Sequence, residues 1–250
     1  MEPLIYITPL FFITALVYAT VGFGGGSTYL ALLVLFHFPY EAVPKVSLLC
    51  NVIVVCGGLY HYVRRGHFSL RHVLPFVITS IPLAYLGGKI PIKKEVFLML
   101  LAISLGIAGF RLLWIQKNHT PREEISWPLA GSVGVPLGGV LGFLSGLVGI
   151  GGGIFLSPLF HLLRWGNGRQ IAASASFFIL VNSLAGLWGQ WSKGYSALDF
   201  QTLLPLGLAV LIGGQIGSRW SAGTFSLAML QKGTALLILF VSGKILWSFL

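Results

Sequence analysis

Val21-Gly22-Phe23-Gly24-Gly25-Gly26 decides how this chain is read, because the stretch returns almost unchanged as Val148-Gly149-Ile150-Gly151-Gly152-Gly153. Apolar sequence flanks each copy on both sides, so a flexible backbone with free polar groups is placed at membrane depth. Lipid cannot satisfy free N–H and C=O groups, and irregular backbone survives there only when buried in protein or lining a watery cavity. A costly element made twice in one chain points to function.

The composition fixes the setting. Of 250 residues, 56% are hydrophobic and 9% charged, and the mean hydropathy is +0.88. A soluble core cannot absorb that much apolar surface, and several runs approach the roughly 20 residues a spanning helix needs. The fold class expected is an all-α polytopic membrane protein. A net charge of +10 on a soluble domain would indicate nucleic acid. Here the cations sit in short loops, where they set topology and touch anionic lipid. Cys50 and Cys56 are packing residues that face different sides of one helix, which argues against a disulfide or shared metal ligation. No basic region precedes the first apolar run, and the first Lys or Arg is Lys45, so no cleaved signal is expected. Neither a cofactor nor a metal is expected.

The first apolar region, residues 4–38, is too long for one straight span: a helix of that length reaches about 50 Å against a core of roughly 30 Å. The glycines divide it, and the piece after them is half a membrane thick, stopped by Pro39 and Pro44. Spans follow at 46–62, 70–88 and 96–115. A polar cytoplasmic linker at 116–126 closes a first membrane repeat, 1–115, and a second repeat, 127–250, begins. It has a broken apolar run at 127–163 and spans at 172–190, 200–217 and 225–247. An offset of 127 residues relates the glycine turns and pairs Ser47 with Ser174. An offset of 130 pairs Pro75 with Pro205 and Tyr85-Leu86-Gly87-Gly88-Lys89 with Gln215-Ile216-Gly217-Ser218-Arg219. Ordered matches over such a length argue for duplication.

If each broken element crosses the membrane, the halves are parallel; if it is a hairpin returning to its own side, three crossings remain and the halves are inverted. Under the hairpin reading one face collects Arg64, Arg65, Arg71, Arg111, Lys117, Arg122, Arg164, Arg169, Arg219 and Lys232. The opposite face keeps Lys45, Lys89, Lys93, Lys94, Lys193 and Lys244. The four-span reading gives a tie. The charge bias therefore favours inverted repeats with both termini outside. Trp114, Trp127, Trp165, Trp188, Trp191, Trp220 and Trp247 fall near span ends, where an interfacial belt belongs.

Gly24, Gly25 and Gly26, with Gly151, Gly152 and Gly153, let backbone N–H groups approach a ligand without Cβ interference. A short helix starts after each run, and its free N–H groups and positive dipole end suit an oxyanion. Ser27 and Thr28 extend the first copy as helix-start donors, whereas Ile154 and Phe155 follow the second. Lys45, Ser47 and Asn51 on one span, and Ser174, Ser176 and Asn182 on its repeat partner, complete the candidate substrate-binding set. The competing reading is packing: small residues let helices approach, and such polar groups bond between helices. Lys45 also fits a snorkelling or loop charge. His37 and His161 lie where the two short helices end, and an interfacial role is favoured over proton transfer for both.

At its two Val-Gly-x-Gly-Gly-Gly turns, in a chain of seven or eight hydrophobic segments, the sequence resembles the TauE/SafE family of sulfite and organosulfonate exporters. The resemblance covers essentially the whole chain and implies a secondary transporter that exports sulfite or a related sulfur oxyanion or organosulfonate across the plasma (bacterial inner) membrane. The partners expected are a small anionic substrate and membrane lipid, without nucleic acid, and a homodimer is left open. An anion channel is the closest alternative, and a membrane assembly factor without a transport role is another. An enzyme is not expected: the acids are few, Glu41, Glu95 and Asp199 sit near span ends, and no phosphate-binding Gly-x-x-x-x-Gly-Lys-[Ser/Thr] stretch is present.

Overall fold

The computed structural model describes residues 2–113, 127–194, 200–219 and 227–249. All elements within them are helical: α1 (Glu2–Ala19), α2 (Gly26–Leu35), α3 (Val43–Arg64), α4 (Leu70–Lys89), α5 (Lys94–Leu113), α6 (Trp127–Val148), α7 (Gly153–Leu163), α8 (Gly168–Trp191), α9 (Phe200–Arg219) and α10 (Leu227–Trp247). Helices α1 to α5 match α6 to α10 in order. The predicted linker at 116–126 lies outside the described residues.

Among the described residues, five helices are long and apolar enough to cross a membrane, including Ala130–Val148 of α6. The long arm before the second glycine turn is therefore long enough for a full crossing, about 33 Å for 22 residues. The chain then doubles back. In the first half Thr14 lies at Gly25, Tyr18 pairs with Thr28, and Phe11 stacks on Tyr29, so α2 returns along α1. Each broken element is a hairpin with one long and one short arm, and only the short helix starts deep in the protein.

The halves exchange arms. Helix α1 packs on α9 and α6 packs on α4. Gly134, Gly138, Gly142 and Gly146 form a stripe at helical spacing that lays α6 against the α4 backbone from Pro75 to Ala84. On the other side Gly213 and Gly217 of α9 accept the α1 backbone at Phe12 and Leu16. Such stripes allow backbone contact where lipid supplies no hydrophobic drive for association.

Equivalent helices also meet at the centre. The start of α3 reaches the end of α8, with Leu48 at Gly186, while Tyr62 at its far end shares Gly22 with Ala172 near the start of α8. In α5 and α10, Ser242 Oγ donates to the Ala102 carbonyl at 2.8 Å and Gly109 meets Leu239. Both pairs run in opposite chain directions.

Trp188, Trp191 and Trp247 are exposed, as a belt requires. Trp165 is a correction: it is 1% exposed and packs on Phe76 and Phe160. Leu162 and Arg164 at the end of α7 are exposed, while the Trp165 ring turns inward and joins the core. Trp114, Trp220 and the Trp127 side chain lie outside the described residues. Cys50 is buried and Cys56 exposed, both as free thiols.

Candidate functional site

The first turn begins as Val21 and Phe23 donate their N–H groups to the Tyr18 carbonyl at 3.1 and 3.0 Å. Gly25 caps α2 with φ 90°, a left-handed conformation that a side chain would strain. The N–H groups of Thr28 and Tyr29 both return to the Gly25 carbonyl at 3.0 Å. Helix geometry then leaves Gly26 and Ser27 as the outward donors, at the positive end of the dipole. Hydroxyls surround this end. Ser27 and Thr28 are buried, and Tyr18 Oη lies 2.9 Å from Thr28 Oγ1. The Tyr29 ring stacks on Phe11 at 4.6 Å and brings its hydroxyl to Gly25.

The second turn repeats the backbone. Gly152 caps α7 with φ 76°, and Phe155 and Leu156 return to its carbonyl at 3.1 and 3.2 Å. Its surroundings are more apolar: Phe178 faces Gly152 and Ile179 faces Gly153, while the Ser183 hydroxyl lies beside Gly151.

Two α3 side chains join the turns. Ser47 Oγ donates to the Gly149 carbonyl at 2.8 Å and lies 3.2 Å from the Gly26 carbonyl. Asn51 Nδ2 donates to the Ile150 carbonyl at 3.1 Å. The Asn51 amide sits against Gly24, Gly26 and Gly151 at once, in space that a Cβ on any of them would take. The glycines thus serve close approach, which the packing reading of the motif expects.

The remaining predicted residues divide. Ser176 Oγ donates to the Gly22 carbonyl at 2.5 Å and bonds the Ala172 carbonyl at 2.9 Å. This mirrors Ser47 at Gly149, so the hydrogen bonds pair Ser47 with Ser176, whereas the fixed offset pairs it with Ser174. Ser174 is buried two residues away. Asn182 Nδ2 turns back to the Phe178 carbonyl of its own helix at 2.8 Å. Lys45 is buried at the opening turn of α3, beyond Ser47 from the junction. Near it, Lys193 donates to Gln190 Oε1 at 3.0 Å, and Gln190 Nε2 donates to the Gly146 carbonyl at 2.8 Å. Burial first, and then the Lys45 charge, push the Lys193 ammonium down to about 8. These two lysines lie near one another at one end of the α3–α8 pair, with Glu41 close to Lys45.

His37 takes φ 58° just after α2, and its match in the second half is Arg164, at φ 56° just after α7. His161 lies inside the last turn of α7, so the two histidines are not equivalent.

Sequence reading missed Tyr29, Ser145 and Ser183. The Tyr29 hydroxyl, Ser145 Oγ, Ser183 Oγ and the Oδ1 atoms of Asn51 and Asn182 are buried without a hydrogen-bond partner. Buried polar groups are ordinarily satisfied, so such atoms call for an explanation. The spacing held a signal for Tyr29, which stands four residues after Gly25 and so returns to the helix start. Among the described residues no group of three or more His, Cys, Asp or Glu could hold a metal ion.

A model of the family described as sulfite exporter TauE/SafE matches residues 7–245. The chain is similar to a probable membrane transporter protein, y4hK, of Sinorhizobium fredii, 32% identical over 95% of this chain and 96% of that one. It is also similar to the probable membrane transporter protein YunE of Bacillus subtilis, 23% identical over 71% of this chain and 72% of that one. A probable membrane transporter protein of Haemophilus influenzae is 26% identical over 81% and 77%. No solved structure matches.

Proposed function

The chain belongs to the sulfite exporter TauE/SafE family and is a multi-pass membrane transporter, not an enzyme, and from that premise we propose that it exports sulfite or a related sulfur oxyanion or organosulfonate across the plasma membrane. The cargo is bound where the two glycine-rich helix ends meet. The observation that carries this reading is the convergence of α2 and α7, from different halves, on Asn51. Backbone N–H groups at two helix starts offer an anion hydrogen bonds and partial positive charge without a mobile cation that would hold it too tightly. Discontinuous helices aimed at an anion recur in secondary transporters.

The repeats act as inverted halves. Supporting this are the opposite directions of α3 against α8 and α5 against α10, and hairpins that return towards their starting ends. In such an arrangement, rocking one half against the other exposes the central site to each side in turn. The turns are in contact here, Asn51 between them, so cargo entry requires them to part. The pair of Lys45 and Lys193 draws anions to one entrance.

Radiotracer sulfite, sulfate and methanesulfonate flux in proteoliposomes tests the reading. Saturable uptake with counterflow is expected for sulfite or methanesulfonate. Linear flux without exchange would make the protein a channel, and no flux of any of the three would end the cargo assignment. Protease protection of tags at both ends tests the orientation, for which both termini outside is expected.

A further inference from the structure

The two turns share a backbone but not a lining, and one hydroxyl in the first has no structural use. We infer that the anion is held at the first turn, by the start of α2 together with the Tyr29 hydroxyl, and that the second turn closes over it without supplying a polar side chain of its own. This rests on the proposed anion cargo and assigns it a position and a specificity-determining residue.

Tyr29 is fully buried, yet its hydroxyl has no partner. The ring is fixed by its stack on Phe11, and the hydroxyl lies 3.1 Å from where a Cβ on Gly25, the residue capping α2, would sit. A phenol O–H buried without a partner is destabilising by itself. Its aim at a helix start with spare N–H donors is accounted for by a ligand that accepts from both. Phenol and amide donors form charge-assisted hydrogen bonds to an anionic oxygen, the stronger kind.

The second half lacks the tyrosine and the helix-start hydroxyls, and the hydroxyls it keeps are those of Ser145, at the position of Tyr18, and of Ser183 beside Gly151. At the offset of 127, Tyr29 becomes Leu156, Thr28 becomes Phe155, Ser27 becomes Ile154 and Thr14 becomes Leu141. Phe178 and Ile179 cover the start of α7. An anion resting there would have the Ser183 hydroxyl near Gly151 but no counterpart of Tyr29, Ser27 or Thr28 at the helix start, so the first turn, with more donors, holds it more strongly.

The donors at the first turn are neutral. They can satisfy the oxygens of a singly charged –SO3 group, but they cannot offset the desolvation of a second charge, so methanesulfonate should bind in preference to sulfate.

Tyr29→Phe keeps the ring and removes only the hydroxyl. Losing a hydrogen bond to a charged group should raise the KM for methanesulfonate in proteoliposomes by about tenfold or more. Thermal stability of the ligand-free protein in detergent should be unchanged or higher, because the hydroxyl has no partner to lose; a purely structural role predicts the reverse pattern. The stabilisation of the wild type by added methanesulfonate should shrink in the variant. Wild-type flux with an unaltered KM in Tyr29→Phe would overturn the inference and leave the cargo assignment standing. A wild type that neither binds nor moves methanesulfonate or sulfite would overturn both.

Discussion

The first and second glycine turns trace nearly the same backbone through different chemistry. Each caps a short helix with a left-handed glycine, Gly25 at φ 90° and Gly152 at φ 76°, and each gives a carbonyl to a serine of the central helix pair, Gly149 to Ser47 and Gly22 to Ser176. Around the first stand Tyr18, Ser27, Thr28 and Tyr29; facing the second are Phe178 and Ile179, with the Ser183 hydroxyl beside Gly151. Duplication preserved what the backbone must do, and divergence acted on what the turns touch. The first turn is lined by more hydroxyls and the second by more apolar side chains.

The largest effect expected is from Asn51→Asp, because the Asn51 amide sits against Gly24, Gly26 and Gly151 at once. A carboxylate cannot donate to the Ile150 carbonyl, and it sets a negative charge beside both helix starts. Anion flux in proteoliposomes should fall about 100-fold, in line with the several kcal/mol cost of a buried like charge. Flux close to wild type would remove the junction from the transport path.

Alanine at equivalent glycines sharpens the comparison. In Gly26→Ala the new Cβ meets the Ile150 backbone carbonyl as well as Asn51, whereas in Gly153→Ala it meets the Ile179 side chain. Backbone cannot step aside and a side chain can. Melting in detergent should show Gly26→Ala destabilised by about 1–3 kcal/mol and Gly153→Ala by less. Equal losses would mean that the turns are equally rigid.

Removing the serine hydroxyls one at a time compares the two clamps. Ser47→Ala and Ser176→Ala each free a buried carbonyl and should cost about 1–3 kcal/mol. Ser176 has a second acceptor within its own helix, and Ser47 bridges both turns. Double-mutant cycles with Asn51→Ala should therefore show coupling for Ser47 and little for Ser176.

The smallest effect is at Lys193. Lys193, held near 8 by burial and by Lys45, is charged below that pH and neutral above it. Its attraction for anions should fade as pH rises through about 8, and Lys193→Met should remove that part of the pH profile of KM. The sign for stability is opposite. The folded protein gives up this proton before the unfolded chain does, so between about 8 and the ordinary lysine value of 10.5 stability rises with pH.

Much of the fold is legible in the residues. Spans at 70–88 and 200–217 become Leu70–Lys89 and Phe200–Arg219, because apolar length bounded by charge leaves a helix little freedom over where to end. The glycine stripe of α6 was equally readable from its spacing, although only its partner, α4, gives it meaning. Trp165 was misread because closeness to a predicted span end does not say which way an indole points. The site was half legible. Gly24 to Gly26 and Gly151 to Gly153 announce an unusual backbone, and Ser47, Asn51 and Ser176 do reach it. Tyr29 was missed, since nothing local reveals that its hydroxyl lacks a partner.

The sequence by itself determined that the chain lives in a membrane, that it is a duplicated helical unit, and that each copy breaks at a glycine run. Those properties depend on local composition and on the lipid's refusal to solvate backbone, so they need no knowledge of neighbours. The tertiary structure alone decided that α1 and α6 cross over to the opposite half, that α2 and α7 meet at Asn51, and that a tyrosine hydroxyl stands unpartnered beside Gly25. Those are properties of surfaces brought together from residues more than a hundred positions apart. Their energies depend on which groups finally touch, and order along the chain does not encode that.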